Sequence, residues 1–311
     1  MIGFDSDRRV FLVAKFLLTS DYHKLSVPVG QQKGQALKWY EKFFEGIINI
    51  WKRWNIRYAI PRLMRTIYNL TKWPDGQKFD YHIINGDLIE GAYNERGMIS
   101  CSDHLAIRKL INEIPSEVPL EKTFIVPGDH ELGYRLPLSS DPHGGISVDS
   151  IDYFEEIVGP LWQIFVVGDV HFLLLSSSIM MQRLDHLSQE KQELIERIRK
   201  EQELFIQSAL SSIPKGATVM VFLHDPDALV KFHEYIRDHY YMHNKNFVVF
   251  CGHMHAEWSL QAYKKLGKIA QSKYAFLMPA KIRQWAKDNW SRLELFEKYN
   301  LHVIPAPGGM M

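Results

Sequence analysis

The sequence has 311 residues, 46% apolar and 13% aromatic, enough for one large core or two modest ones and too apolar for a disordered chain. With 37 Lys and Arg against 36 Asp and Glu, the formal net charge is +1, which argues against a whole-surface nucleic-acid binder and leaves room for a local patch. Two cysteines, Cys101 and Cys251, exclude a disulfide-built scaffold and fit a reducing compartment, and no apolar run has the length to cross a bilayer.

In chain order, Val10 to Leu18 reads as a buried strand rather than a signal peptide, because Lys15 interrupts it and no small-residue cleavage site follows. It runs into Ser20-Asp21-Tyr22-His23. From Gln35 to Tyr58, Trp39, Phe43, Ile47, Ile50, Trp54 and Tyr58 recur at steps of three and four, a helical stripe that Tyr40, Phe44, Ile48 and Trp51 widen. Pro61 restarts a shorter helix carrying Leu63, Ile67 and Leu70. A strand over Tyr81–Asn85 then meets Gly86-Asp87, and a helical pattern covers 103–113. A second such strand, Thr123 to Pro127, meets Gly128-Asp129-His130-Glu131. Gly168-Asp169 reads as a turn before the core strand His171–Leu175. The charged run Gln189 to Gln202 predicts a largely solvated helix, anchored further on by Leu204, Phe205 and Leu210.

Thr218 to Leu223 runs into His224-Asp225-Pro226, and Phe247 to Cys251 into Gly252-His253-Met254-His255, with Cys251 read as core packing. Between them His233, His239 and His243 mark a surface helix. Nearly all-apolar runs are strands buried on both faces, and strand–helix alternation points to an open α/β sheet. In such a sheet the site lies beyond the carboxyl ends of the strands, where the acidic and histidine residues fall here. With no repeat or low-complexity linker, residues 1–311 read as one domain with two decorations. Residues 31–73 are a basic, aromatic helical insertion with a balance of +7, and 259–299 a second basic segment with +6, so the remainder carries −12.

Imidazole and carboxylate ligands suit metal ions of intermediate hardness, and two neighbouring ions need a shared bridge. The order Asp21-x-His23, Gly86-Asp87, Gly128-Asp129-His130-Glu131, His224 and Gly252-His253-x-His255 resembles the calcineurin-like metallophosphoesterase family. That resemblance implies a β-sandwich flanked by helices, an α/β (α+β sandwich) fold in place of a simple doubly wound sheet. It further implies a two-metal site. One ion would be held by Asp21, His23 and His255, the other by Asp129, His224 and His253, with Asp87 bridging. A metal-bridging water or hydroxide would then attack phosphorus, His130 would sit by the leaving-group oxygen, and Glu90 and Glu131 would be outer acidic positions orienting these groups. On composition alone those two glutamates are as readily solvent-exposed.

One position departs from the family pattern, which usually has Asn where this chain has Asp129. A third carboxylate offsets +3 of the +4 carried by two divalent ions. That strengthens metal retention and weakens the pull on an incoming phosphate. Mixed His and Asp ligands suit Mn, the expected metal, with Fe or Zn as alternatives.

The insertion carrying Trp39, Phe43, Ile47, Trp51, Arg53, Trp54 and Arg57 lies between the first two metal motifs and is expected to cap the site. Its wide apolar face either packs on the domain or meets acyl chains and a membrane surface, with basic residues at the headgroups. In this character the chain resembles the family's membrane-peripheral enzymes that cleave the pyrophosphate of UDP-2,3-diacylglucosamine in lipid A synthesis. The expected activity is therefore hydrolysis of a phosphodiester or pyrophosphate in a lipid-linked substrate, in the cytoplasm at the inner face of a membrane. A nuclease or soluble nucleotide phosphodiesterase ranks second, with nucleic acid the less expected partner, and a non-catalytic scaffold third. No Walker loop or dinucleotide fingerprint is present.

Overall fold

A computed structural model describes residues 14–20, 60–72, 78–89, 101–133, 146–182, 184–185, 187–237, 245–253, 257–273, 275–277, 284 and 290–304. Its strands are β1 (Phe16–Thr19), β2 (Tyr81–Asn85), β3 (Thr123–Val126), β4 (Gln163–Val167), β5 (Val170–Leu175), β6 (Thr218–Leu223), β7 (Asn246–Cys251) and β8 (Leu301–Val303). They form two sheets, a parallel one ordered β1-β2-β3 and a second ordered β4-β5-β6-β7-β8. In the second, β4 runs antiparallel to β5 and the other neighbours are parallel. The helices are α1 (Ile60–Lys72), α2 (Cys101–Glu113), α3 (Asp129–Leu132), α4 (Val148–Tyr153), α5 (Ser177–Met181), α6 (Gln189–Ser212), α7 (Ala228–Arg237), α8 (Glu257–Gln271) and α9 (Trp290–Lys298).

Successive side chains of a strand point to opposite faces, so an all-apolar strand needs cover on both. On β2, Ile83 turns inward to Val126, Phe172, Leu174, Phe222 and Ile304, which join the two sheets. Its neighbour Ile84 turns outward to Ile67 of α1, Ile107 and Leu110 of α2, and Ile195 of α6. On β5 and β6 the outward residues Leu173, Leu175, Val221 and Leu223 meet α6, α7 and α9 through Ile206, Phe232 and Phe296. Each such fully buried side chain contributes about 1.5–3 kcal/mol. Rings reinforce the middle layer, where Phe124 stacks on Phe165 with centroids 3.8 Å apart. The result is a sandwich with helices outside both sheets, as the family resemblance implied and strand–helix alternation alone did not.

Several local expectations change. The first strand starts at Phe16; residues 10–13 lie outside the described residues, as does the helix expected over Gln35–Tyr58. Strands β4 and β8 were not expected; β4 is a mostly half-exposed apolar run closed by Gly168-Asp169, and β8 spans three residues. Helix α6 exposes most of its charged side chains over Gln189–Gln202, as expected, but one face of that half is covered. It buries Ile195, Ile198 and Gln202, whereas the expected anchor Leu204 is 53% exposed. Gly168 and Asp169 do form the turn between β4 and β5. Cys251 is fully buried in the core, and His233 sits on α7, where its Nδ1 lies 2.6 Å from the Tyr299 hydroxyl. His239 and His243 fall outside the described residues. No described helix is long and apolar enough to cross a membrane.

Candidate metal centre

Four of the motif residues meet at the carboxyl edges of the two sheets. Asp87 follows β2, Asp129 opens α3 after β3, His224 directly follows β6 and His253 follows β7. One donor atom from each lies within 4.8 Å of all the others. His224 Nε2 is 2.9 Å from Asp87 Oδ2 and 3.4 Å from Asp129 Oδ1, and His253 Nδ1 is 3.4 Å from the same Asp129 oxygen.

The glycines before the two aspartates explain how the loops come so close. A Cβ on Gly86 (φ 79°) would stand 2.4 Å from His224 Nδ1, and one on Gly128 would stand 2.2 Å from Asp87 Oδ1. Neither contact tolerates a side chain. Asp87 and His253 themselves adopt left-handed backbone, φ 53° and 54°, a conformation rare outside glycine and found where a site over-determines it.

Orientation comes from hydrogen bonds behind the donors. The carbonyl oxygen of Asn85 can only accept, so His224 Nδ1 donates to it across 2.7 Å and Nε2 is left to face the carboxylates. Ser20 Oγ donates to the same carbonyl, and the Asn85 side-chain amide donates to Leu223 O in the other sheet. The Glu131 carboxylate is fully buried, which corrects the solvent-exposed alternative. It accepts the backbone N–H groups of Asp87, Leu88, Ile89 and Gly128 at 2.7–3.3 Å, clamping the loops after β2 and β3 together. His130 is partly buried beside Asp87; its backbone N–H donates to Asp87 Oδ1, and its Nε2 lies 3.9 Å from Oδ2.

Charge is concentrated here. Burial and the Asp129 carboxylate push Asp87 up, but His224 and His130 outweigh them and hold it at about 2. Burial likewise opposes ionisation of Asp129, and His130, His224 and His253 still hold it well below the usual carboxylate range. Burial disfavours a cation at His253, yet the Asp129 and Asp225 carboxylates push its pKa up to about 10. Burial and Asp87 push Glu131 up to about 7. The carboxylates thus demand positive charge among them. Among the described residues Asp129 Oδ1 is buried without a well-formed hydrogen bond, facing only the two imidazole nitrogens at 3.4 Å, an oxygen suited to coordinate a cation. Two carboxylates and two imidazoles fit a divalent ion of the Mn, Fe or Zn type, which would take the place of any proton on the ligating imidazole nitrogens.

Asp129, His224 and His253, expected to share one ion, and Asp87, expected to bridge, are therefore together. Asp21, His23, His255 and Glu90 lie outside the described residues, and so do Trp39, Phe43, Ile47, Trp51, Arg53, Trp54 and Arg57. Sequence reasoning missed supports that carry no motif. Gln202 of α6 donates to Ser176 O and accepts from Ser176 N–H, and Ser177 Oγ accepts the N–H of Asp225, next to His224. Arg199 donates to Ile179 O and Gln182 O in the same turn. Nothing in the sequence sets Gln202 apart from Gln189 and Gln192 in the same run. Glu131, already expected as an outer acidic position, owes its clamp to its place three residues after Gly128, a capping-box spacing.

The sequence profile of the calcineurin-like phosphoesterase family matches residues 14–257, more than half of the chain. Among solved structures the chain is similar to purple acid phosphatase PPD1 isolated from yellow lupin (Lupinus luteus) seeds, at 14% identity over 78% of this chain and with a TM-score of 0.38. The match spans 38% of the length of that chain. No curated protein matches the sequence.

Proposed function

The chain belongs to the calcineurin-like phosphoesterase family, and from that premise we propose that it is a two-metal hydrolase of a lipid-linked diphosphate such as UDP-2,3-diacylglucosamine. The observation that carries the hydrolase reading is the meeting of buried Asp87, Asp129 and His224 with half-buried His253 around the Asp129 Oδ1 atom. Divalent metal ions, with Mn the expected identity and Fe or Zn the alternatives, supply Lewis acidity and a water of lowered pKa. Asp129, His224 and His253 would hold one ion and, by the family resemblance, Asp21, His23 and His255 the other, with Asp87 shared between them.

The chain's own groups do the rest. Asn85 O keeps His224 in the Nε2-presenting orientation, and Glu131 keeps the Asp87 backbone in its left-handed turn. His130 stands beside Asp87 to hydrogen-bond or protonate the departing oxygen. In the net reaction, water oxygen forms a new bond to one phosphorus, the bond from that phosphorus to the bridging oxygen breaks, and the bridging oxygen takes up a proton. UMP and an acylated sugar phosphate result.

Support for a lipidic substrate at the inner face of a membrane comes from the basic surplus of 31–73 and 259–299 and from exposed apolar side chains in the second segment. Ile269 and Phe276 are 43% and 70% exposed and lie among exposed Lys265, Lys268 and Lys273. Exposed apolar side chains with lysines nearby in sequence, of which Lys268 also pairs with Glu297, suit an anionic lipid surface.

The test is a hydrolysis panel with Mn, Fe or Zn, comparing UDP-2,3-diacylglucosamine, bis(4-nitrophenyl) phosphate and DNA, with and without detergent. The lipid-linked diphosphate is expected to turn over fastest, and Asp87→Ala or His253→Ala to lower activity about 10³-fold or more. Normal turnover in both variants overturns the metal centre. Preferred cleavage of DNA, insensitive to detergent and lost with salt, favours a nuclease, and metal binding without hydrolysis favours a scaffold.

A further inference from the structure

Resting on the phosphoesterase reading above, we infer that Arg292 forms a subsite at the rim of the metal centre for the phosphoryl group of a diphosphate that is not attacked. Arg292 lies in the first turn of α9, which the Tyr299–Asn300 turn (Asn300 φ 47°) connects to β8. Strand β8 runs parallel to β7, with Leu301 opposite Val249, and the helix leading into it packs back along the sheet. Its first turn therefore reaches the carboxyl edge, where His224 and His253 stand. The contact is direct: Arg292 Nη1 donates to Asp227 Oδ2 across 2.6 Å, and Asp227 is three residues beyond His224.

The loop that receives Arg292 is itself held. The Asp227 N–H donates to Asp225 Oδ1 at 2.8 Å, and the Asp225 N–H donates to Ser177 Oγ at 3.0 Å. Asp225 and Asp227 both lie close enough to His253 for their charges to act on one another. Asp227 is balanced by Arg292 itself, and Asp87, Asp129 and Asp225 remain as three carboxylates in and beside the centre, one more than an Asn at position 129 would leave. A diphosphate meets repulsion there unless a cation stands beside the metals. Arg292 is 36% exposed, and one of its five N–H donors is engaged by Asp227, which fixes the fork's direction. A pre-oriented guanidinium is the side chain best matched to phosphoryl oxygens, and a lysine in its place would lose the two-point contact.

The experiment measures binding of inorganic pyrophosphate and of inorganic phosphate to the Mn-loaded full chain by titration calorimetry, for the wild type, Arg292→Gln and Arg292→Lys. Removing the fork is expected to lower the ratio of pyrophosphate to phosphate affinity about ten-fold in Arg292→Gln, with Arg292→Lys in between. An unchanged ratio in both variants overturns the subsite and leaves the Asp227 pair as a structural bond. Hydrolysis of bis(4-nitrophenyl) phosphate by the wild-type protein is followed alongside. Its absence with Mn, Fe and Zn counts against the phosphoesterase reading, while the affinity ratio still decides the role of Arg292.

Discussion

The Glu131 carboxylate accepts the backbone N–H of Asp87 across 2.9 Å, so a side chain with no place in the metal cluster sets the backbone of a residue that has one. Three further N–H groups, from Leu88, Ile89 and Gly128, end on the same carboxylate. Glu131→Gln keeps the shape and turns one acceptor into a donor facing N–H groups. Buried donors left unbonded cost about 1–3 kcal/mol each, so the variant should unfold at distinctly lower denaturant and retain metal less well. Coincident unfolding midpoints for variant and wild type would contradict the clamp.

Asp129 stands where the family resemblance leads one to expect Asn. Asp129→Asn keeps a coordinating oxygen and removes a charge. Metal affinity is expected to fall about ten-fold by the scale of charge and hydrogen-bond changes around such ions, with hydrolysis changed only a few-fold. Metal titration with a parallel activity assay checks this. A rise in turnover of about a hundred-fold or more, well above that scale, would show that Asp129 suppresses the reaction instead.

Gln202 ties α6 to both backbone polar groups of Ser176, and Ser177 in turn holds Asp225. Gln202→Leu removes two buried bonds and leaves Ser176 without them, at a cost of about 2–4 kcal/mol seen in thermal or denaturant unfolding. Ser177→Ala is the finer probe. It should leave stability within about 1 kcal/mol while weakening metal binding several-fold, because only the loop beside His224 loses its tether. Equal metal affinity in Ser177→Ala and wild type would remove Ser177 from the support of the site.

His82 lies in β2, buried, with Nε2 2.9 Å from Thr19 Oγ1. Burial lowers its pKa from 6.5 to about 3. Between those values the unfolded chain binds a proton that the folded chain does not, so stability is intact above pH 6.5 and falls as pH drops through that window. The slope from this one residue approaches 1.4 kcal/mol per pH unit, about the free energy of a single proton. Urea unfolding at pH 7, 6 and 5 should show His82→Gln losing less stability than the wild type over that range. Parallel curves would mean that other groups carry the acid sensitivity.

Much of the scaffold was legible because the strands are buried on both faces. Tyr81–Asn85, Thr218–Leu223 and the strand ending at Cys251 are apolar runs closed by polar clusters, and each appears within a residue of its expected bounds. Strand β4 carries the same signal, Ile164 to Val167 closed by Gly168-Asp169, yet was not expected; its half-exposed side chains set it apart only in the fold. Leu204 misled because apolar character alone does not say which face of a long helix meets the core.

By itself the sequence determined the donor chemistry and its address: carboxylates and imidazoles of fixed type, each just beyond a strand, with Gly86 and Gly128 beside two of them. These follow from local order along the chain, where strand and turn preferences act over a few residues. Only the tertiary structure decided that β2 and β6 belong to different sheets whose ends converge, so that Asp87 and His224 come within 2.9 Å. It also decided that Glu131 and Gln202 are buried clamps and that Arg292 reaches Asp227. Hydrogen bonds between residues tens of positions apart leave no period in the chain, because their partners are chosen by packing and not by spacing.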